Sequence, residues 1–149
     1  MASRTPPYLA VFLLSASVLS YEVLLMRLFS IIQWHHFAYM MISVALLGYG
    51  AAGAFVTLAQ GPLGKRFTGT FATATGLFGL TALLAFLAAQ AVGFNALEIL
   101  WDPRQPARLA LIYSLLILPF FCAATAICLS FTHFPSHIPR LYAADILGA

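Results

Sequence analysis

Four apolar runs, at about 8–29, 37–59, 70–92 and 109–131, dominate the chain and fix what it can become. Each holds the roughly 20 residues that a helix needs to cross a hydrocarbon core. Helix-breaking or polar punctuation separates them: Trp34-His35-His36, Gly61-Pro62-Leu63-Gly64, and a connection from Gly93 to Pro106. Only 7% of the 149 residues are charged, against about 25% in a soluble domain. Such a chain lacks the side chains to cover a water-facing surface. The fold class this dictates is an all-α membrane protein, a polytopic helical bundle with four transmembrane helices and the start of a fifth. The whole of 1–149 forms a single transmembrane domain, and the lipid bilayer is its first partner.

The ends of the runs carry further information. Pro6 and Pro7 stand just before the first span, where proline is tolerated because the first helical N–H groups have no partner. The segment MASRTPPY lacks the layout of a signal peptide, so the first run reads as a retained span. His133-Phe134-Pro135-Ser136-His137-Ile138-Pro139 closes the fourth run, and its two prolines forbid a straight continuation. A fifth helix begins at about Arg140, and the sequence stops at Ala149. That early stop predicts a truncated frame or a piece of a longer protein. Lys and Arg collect on the cytoplasmic side of membrane spans. A cytoplasmic N-terminus places Arg4, Lys65, Arg66 and Arg140 inside, leaving Arg27, Arg104 and Arg108 outside. The expected location is the inner (plasma) membrane.

Small residues crowd the second and third spans, with Gly48/Ala52, Gly50/Ala54 and Ala72/Gly76 each four apart. In lipid, helices associate by close backbone approach across such residues. The expectation is that these two spans pack tightly within a bundle.

Gly48-Tyr49-Gly50-Ala51-Ala52-Gly53 matches the dinucleotide-binding pattern, but that chemistry needs a strand before the glycines and an acidic residue about 20 positions on. Neither is present, and the motif reads as helix packing. Adjacent imidazoles at His35 and His36 point about 100° apart and do not easily share a metal. His133 and His137 have metal-ligand spacing, with Pro135 between them to break the alignment. Cys122 and Cys128 lie six apart, roughly 9 Å along a helix, too far for a disulfide. No basic stripe suggests nucleic acid. No catalytic constellation, metal site or cofactor site is recognisable.

The ionisable residues within the apolar runs are the sharper signal. A carboxylate near mid-bilayer costs roughly 2.5–3.5 kcal/mol on insertion scales. Glu22 meets that description. Arg27, five residues on and about 140° around the helix, does not pair with it directly and can snorkel to the outer headgroups. Glu22 therefore either meets a substrate, cation or proton within the bundle, or takes a polar partner on another helix. Asp145 raises the same question in the fifth helix, where a carboxylate also suits the positive N-terminal end of the helix dipole. Capping is the favoured reading for Asp145.

Leu19-Ser20-Tyr21-Glu22-Val23-Leu24-Leu25-Met26-Arg27-Leu28-Phe29-Ser30 resembles the first span of the membrane proteins related to spermidine synthase. Ala45-Leu46-Leu47-Gly48-Tyr49-Gly50-Ala51-Ala52-Gly53 is similar to that family's second helix. Leu141-Tyr142-Ala143-Ala144-Asp145-Ile146-Leu147-Gly148-Ala149 resembles the opening of its fifth. The resemblance implies a membrane domain that anchors a cytosolic Rossmann-like transferase domain using S-adenosylmethionine-type substrates, a catalytic domain absent from these residues. It carries Tyr21, Glu22, Arg27, Tyr142 and Asp145 over as a candidate intramembrane polar site, with Gly148 part of the same pattern. A carboxylate-lined cavity of this kind suits a polyamine. The alternatives are half of a carrier-type transporter and a purely structural membrane subunit.

Overall fold

The computed structural model describes residues 5–32, 35–92 and 101–149. Six helices follow in order: α1 (Tyr8–Ile32), α2 (His35–Leu58), α3 (Gln60–Lys65), α4 (Phe67–Ala91), α5 (Arg104–His133) and α6 (Ile138–Gly148). A 3-10 turn at Pro135–His137 joins the last two, and no strand occurs among the described residues. Four helices are long and apolar enough to span a membrane: Tyr8–Ile31, Tyr39–Leu58, Phe67–Ala91 and Arg104–His133.

The boundaries differ from the expected ones where proline or glycine was read as a break. Gly61-Pro62-Leu63-Gly64 is not a loop but most of the short helix α3, since Pro62 falls in its first turn, where it forfeits no hydrogen bond. Helix α5 begins at Arg104, inside the segment assigned to the connection, because Pro106 is likewise tolerated in a first turn. Helix α6 starts at Ile138 with Pro139 in its opening turn. The Trp34-His35-His36 reading rests on side chains outside the described residues.

Helix α5 organises the bundle. It packs against both α4 and α2, while α1 packs against α2 and α6. Its buried face includes Ile112, Leu116, Phe120, Ala123 and Leu129, a stripe at the three- and four-residue spacing of one helix side. Leu14, Leu25, Met41, Val44, Ala74 and Phe78 meet it from the neighbouring helices. A smaller cluster of Val11, Phe67, Leu129, Phe134 and Leu141 ties together the start of α1, the start of α4, the end of α5 and the start of α6. The long helices therefore alternate in direction.

The tight packing expected of α2 and α4 is made through α5, which lies against each of them, while these two helices barely touch each other. Gly48 is used for close approach, but toward α5. A Cβ there would stand 2.7 Å from the Phe120 Cβ and 3.2 Å from the Ile117 carbonyl oxygen. Gly50, Gly53, Gly69, Gly76 and Gly79 have open space where a side chain would be. Small residues mark where a backbone can come close, but not which neighbour takes the position.

Outside this core the helices are covered with exposed apolar side chains, among them Leu46, Leu47, Leu77, Leu80, Leu83 and Leu87. In the most apolar stretch of α4 only 17% of the residues are buried.

Candidate functional site

Asp145 lies in the third turn of α6, eight residues into that helix, and so cannot cap its N-terminus. The capping expectation fails because the helix starts two residues earlier than its sequence suggested, and dipole effects fade within the first turn. Its carboxylate instead accepts a hydrogen bond from the Ser15 hydroxyl of α1. Ser15 is buried, so the bond joins two helices in an apolar setting. Gly148 makes that approach feasible: a Cβ there would collide with the Phe12 carbonyl oxygen of α1.

A cavity of about 350 Å³ opens beside this pair. Asp145 and Ser15 form its polar wall with Tyr49 of α2 and Cys128 of α5, while Val18 and Ile127 supply apolar surface. That volume is at the small end of ligand pockets. Tyr49 is held by an edge-on ring contact with Phe120, the centroids 6.1 Å apart. Its hydroxyl lies in the electrostatic field of both Asp145 and Glu22.

Glu22 comes from the same face of α1 as Ser15. Seven residues complete almost two whole turns, which places Glu22 roughly 10 Å further along one stripe. It is half-buried.

The other candidate residues go elsewhere. Tyr21, next to Glu22, turns toward α4, where its hydroxyl donates to the Ala82 carbonyl at 3.2 Å and its ring meets Phe78 edge-on. Arg27 is exposed near the far end of α1 and makes no ion pair with Glu22. Tyr142 is 56% exposed and does not line the cavity. Of the five residues carried over, only Asp145 lines the cavity; Glu22 shares the Ser15 face of α1 but lies outside the lining. Ser15, Tyr49 and Cys128 were missed, because each is an ordinary residue in an apolar helix until three helices bring them together.

The remaining sequence candidates do not form a second polar centre. His133 stacks on Phe67 at 4.5 Å, and the His137 Nδ1 contacts the Ser136 hydroxyl at 2.9 Å. Cys122 and Cys128 are free thiols. Among the described residues no group of three His, Cys, Asp or Glu side chains is placed to hold a metal.

Chemically, the cavity offers one carboxylate, a phenol, a hydroxyl and a thiol, and the hydroxyl is engaged with the carboxylate in the bond that joins α1 to α6. That set suits binding better than bond making: the carboxylate attracts a cation, and apolar walls receive its carbon chain. No family model, no curated protein and no solved structure matches this chain.

Proposed function

We propose that this chain is the membrane-embedded helical domain of a spermidine synthase-like protein, inserted in the inner membrane with its N-terminus in the cytoplasm. Its exposed leucines face lipid, which explains why helices as apolar as α4 leave most of their surface uncovered by protein. The domain anchors a cytosolic S-adenosylmethionine-type transferase domain that lies outside these residues. The support for that anchoring role is the ordered resemblance of the first, second and fifth helices.

Within the bundle, the cavity between α1, α2, α5 and α6 binds an organic ammonium ion of the polyamine class. The observation that carries this reading is Asp145, a carboxylate on the short helix α6, held by Ser15 of the span-length helix α1 at the wall of a cavity. An ionisable residue in such a position is expensive to keep. An ammonium ligand offsets that expense, with the neutral Tyr49 hydroxyl as a further hydrogen-bond acceptor in the cavity wall.

The test is spermidine titration of the full chain in lipid nanodiscs, read by calorimetry. Asp145→Asn removes the charge and keeps the shape. It is expected to weaken spermidine binding at least tenfold, while Arg27→Gln leaves it unchanged. Equal affinity of wild type and Asp145→Asn would reject the site.

A further inference from the structure

A second cavity lies at the opposite pole of the chain's chemistry. It measures about 190 Å³ and is lined by Gly64, Lys65, Arg66, Phe67, Thr68 and His133 among others. Two cations adjacent in sequence border one opening, yet neither makes an ion pair with a described carboxylate. The described acidic residues are Glu22, Asp102 and Asp145. Asp145 lines the cavity above, Glu22 shares the Ser15 face of α1, and Asp102 lies before α5, at the other end of the bundle.

The walls of this opening are fixed. His133, in the last turn of α5, stacks flat on Phe67 with an interplanar angle of 12°, and Phe134 meets Phe67 edge-on. Phe67 itself is buried in the cluster that ties the four helix ends together. The short helix α3 ends at Lys65, and α4 begins at Phe67, so both cations sit on a turn braced by packing on either side. No side chain caps α4, and its first three residues, Phe67, Thr68 and Gly69, line the same opening.

We infer that this cavity is a phosphate-group site at the cytoplasmic membrane surface, occupied by the headgroup phosphate of an anionic phospholipid. The placement rests on the membrane reading above. Lys65 and Arg66 then stand at the depth of the lipid phosphates, on the side where basic pockets between helices gather anionic headgroups. Arg66 supplies a fork that suits two phosphate oxygens. Lys65 supplies a point charge, and the Thr68 hydroxyl is a further donor at the rim. Further along α4 the exposed Leu77, Leu80 and Leu84 give the acyl chains a place to lie.

The experiment reconstitutes the full chain in nanodiscs containing phosphatidylcholine and phosphatidylglycerol, and counts the lipids retained after mild detergent extraction by native mass spectrometry. Inorganic phosphate is added in a parallel arm. Wild type is expected to retain phosphatidylglycerol selectively. The double variant Lys65→Gln/Arg66→Gln is expected to lose that retention roughly 30-fold, from the contribution of two cations near a charged surface. Arg27→Gln/Arg104→Gln removes the same charge at the other end and is expected to retain it. Retention that survives inorganic phosphate identifies the lipid source; displacement by inorganic phosphate identifies a soluble phosphate at the same site. Equal retention by wild type and Lys65→Gln/Arg66→Gln overturns the site while leaving the membrane reading standing. Failure of the chain to enter nanodiscs overturns both.

Discussion

At Gly48 the backbone of α2 comes against α5, and at Gly148 the backbone of α6 comes against α1; in each place a Cβ would collide with the partner helix. What surrounds the two contacts differs. Around Gly48 the space is filled by Phe120, fully buried, with Tyr21 and Tyr49 leaning on its ring at 5.6 and 6.1 Å. Beside Gly148 the contact is shared with the Ser15–Asp145 hydrogen bond and borders an open cavity. The first junction is built for contact area and the second for access. In lipid that distinction carries more weight than in water, because apolar burial between helices gains little over burial in acyl chains. Dense packing therefore supplies the stability, and a polar contact beside an empty volume is retained for another reason.

The comparison is tested most severely at Phe120. Phe120→Ala empties the position on which both tyrosines rest and is expected to destabilise the bundle by about 3–5 kcal/mol, measured by unfolding in mixed micelles containing dodecyl sulfate. If Tyr49 still reaches the cavity, spermidine affinity changes little. A variant that unfolds easily yet binds normally would show the two junctions to be separable.

Gly48→Ala is the next largest. The new methyl group meets a Cβ and a backbone carbonyl, neither at the end of a flexible chain, so α2 must move off α5. The expected loss is about 1–3 kcal/mol, by the same unfolding assay. Gly50→Ala and Gly53→Ala, where the space is open, are expected to be neutral or mildly stabilising through helix propensity. Equal effects at all three positions would break the assignment of Gly48 to the tight junction.

These glycines also show what was legible in the sequence. Four spans, the sharp bend at Pro135 and the start of a fifth helix follow from length, hydropathy and proline chemistry. The pairing of helices does not, because a small residue reports that a backbone is accessible and not which helix uses it. The site divides in the same way. Glu22 and Asp145 stand out as charges among apolar residues. Ser15, Tyr49 and Cys128 are ordinary in an apolar helix, and only their convergence across three helices gives them meaning. Tyr21 and Tyr142 sit close to the right carboxylates in sequence, but their helices turn them toward α4 and toward the outside.

Tyr21→Phe removes the hydrogen bond to the Ala82 carbonyl while keeping the ring contacts with Phe78 and Phe120. The expected destabilisation is about 0.5–1.5 kcal/mol, with no change in spermidine affinity. Weakened binding without loss of stability would return Tyr21 to the polar site and contradict its placement on the packed side.

The smallest destabilisation is expected at Ser15, and it is the one that separates the two junctions most cleanly. Ser15→Ala deletes the donor to Asp145, and interhelical hydrogen bonds of this kind contribute on average about 0.6 kcal/mol in membrane bundles. On stability alone the change is hard to distinguish from a neutral substitution. Its effect on the cavity has a definite direction: with the serine hydroxyl gone, the Asp145 carboxylate loses the donor that orients it, and spermidine binding is expected to weaken. A double-mutant cycle of Ser15→Ala with Asp145→Asn resolves the two contributions. If the pair serves only to join α1 to α6, the coupling appears in unfolding and vanishes from binding. If it holds the carboxylate ready for a cation, the coupling is larger in spermidine affinity than in stability, and that second pattern is the expected one.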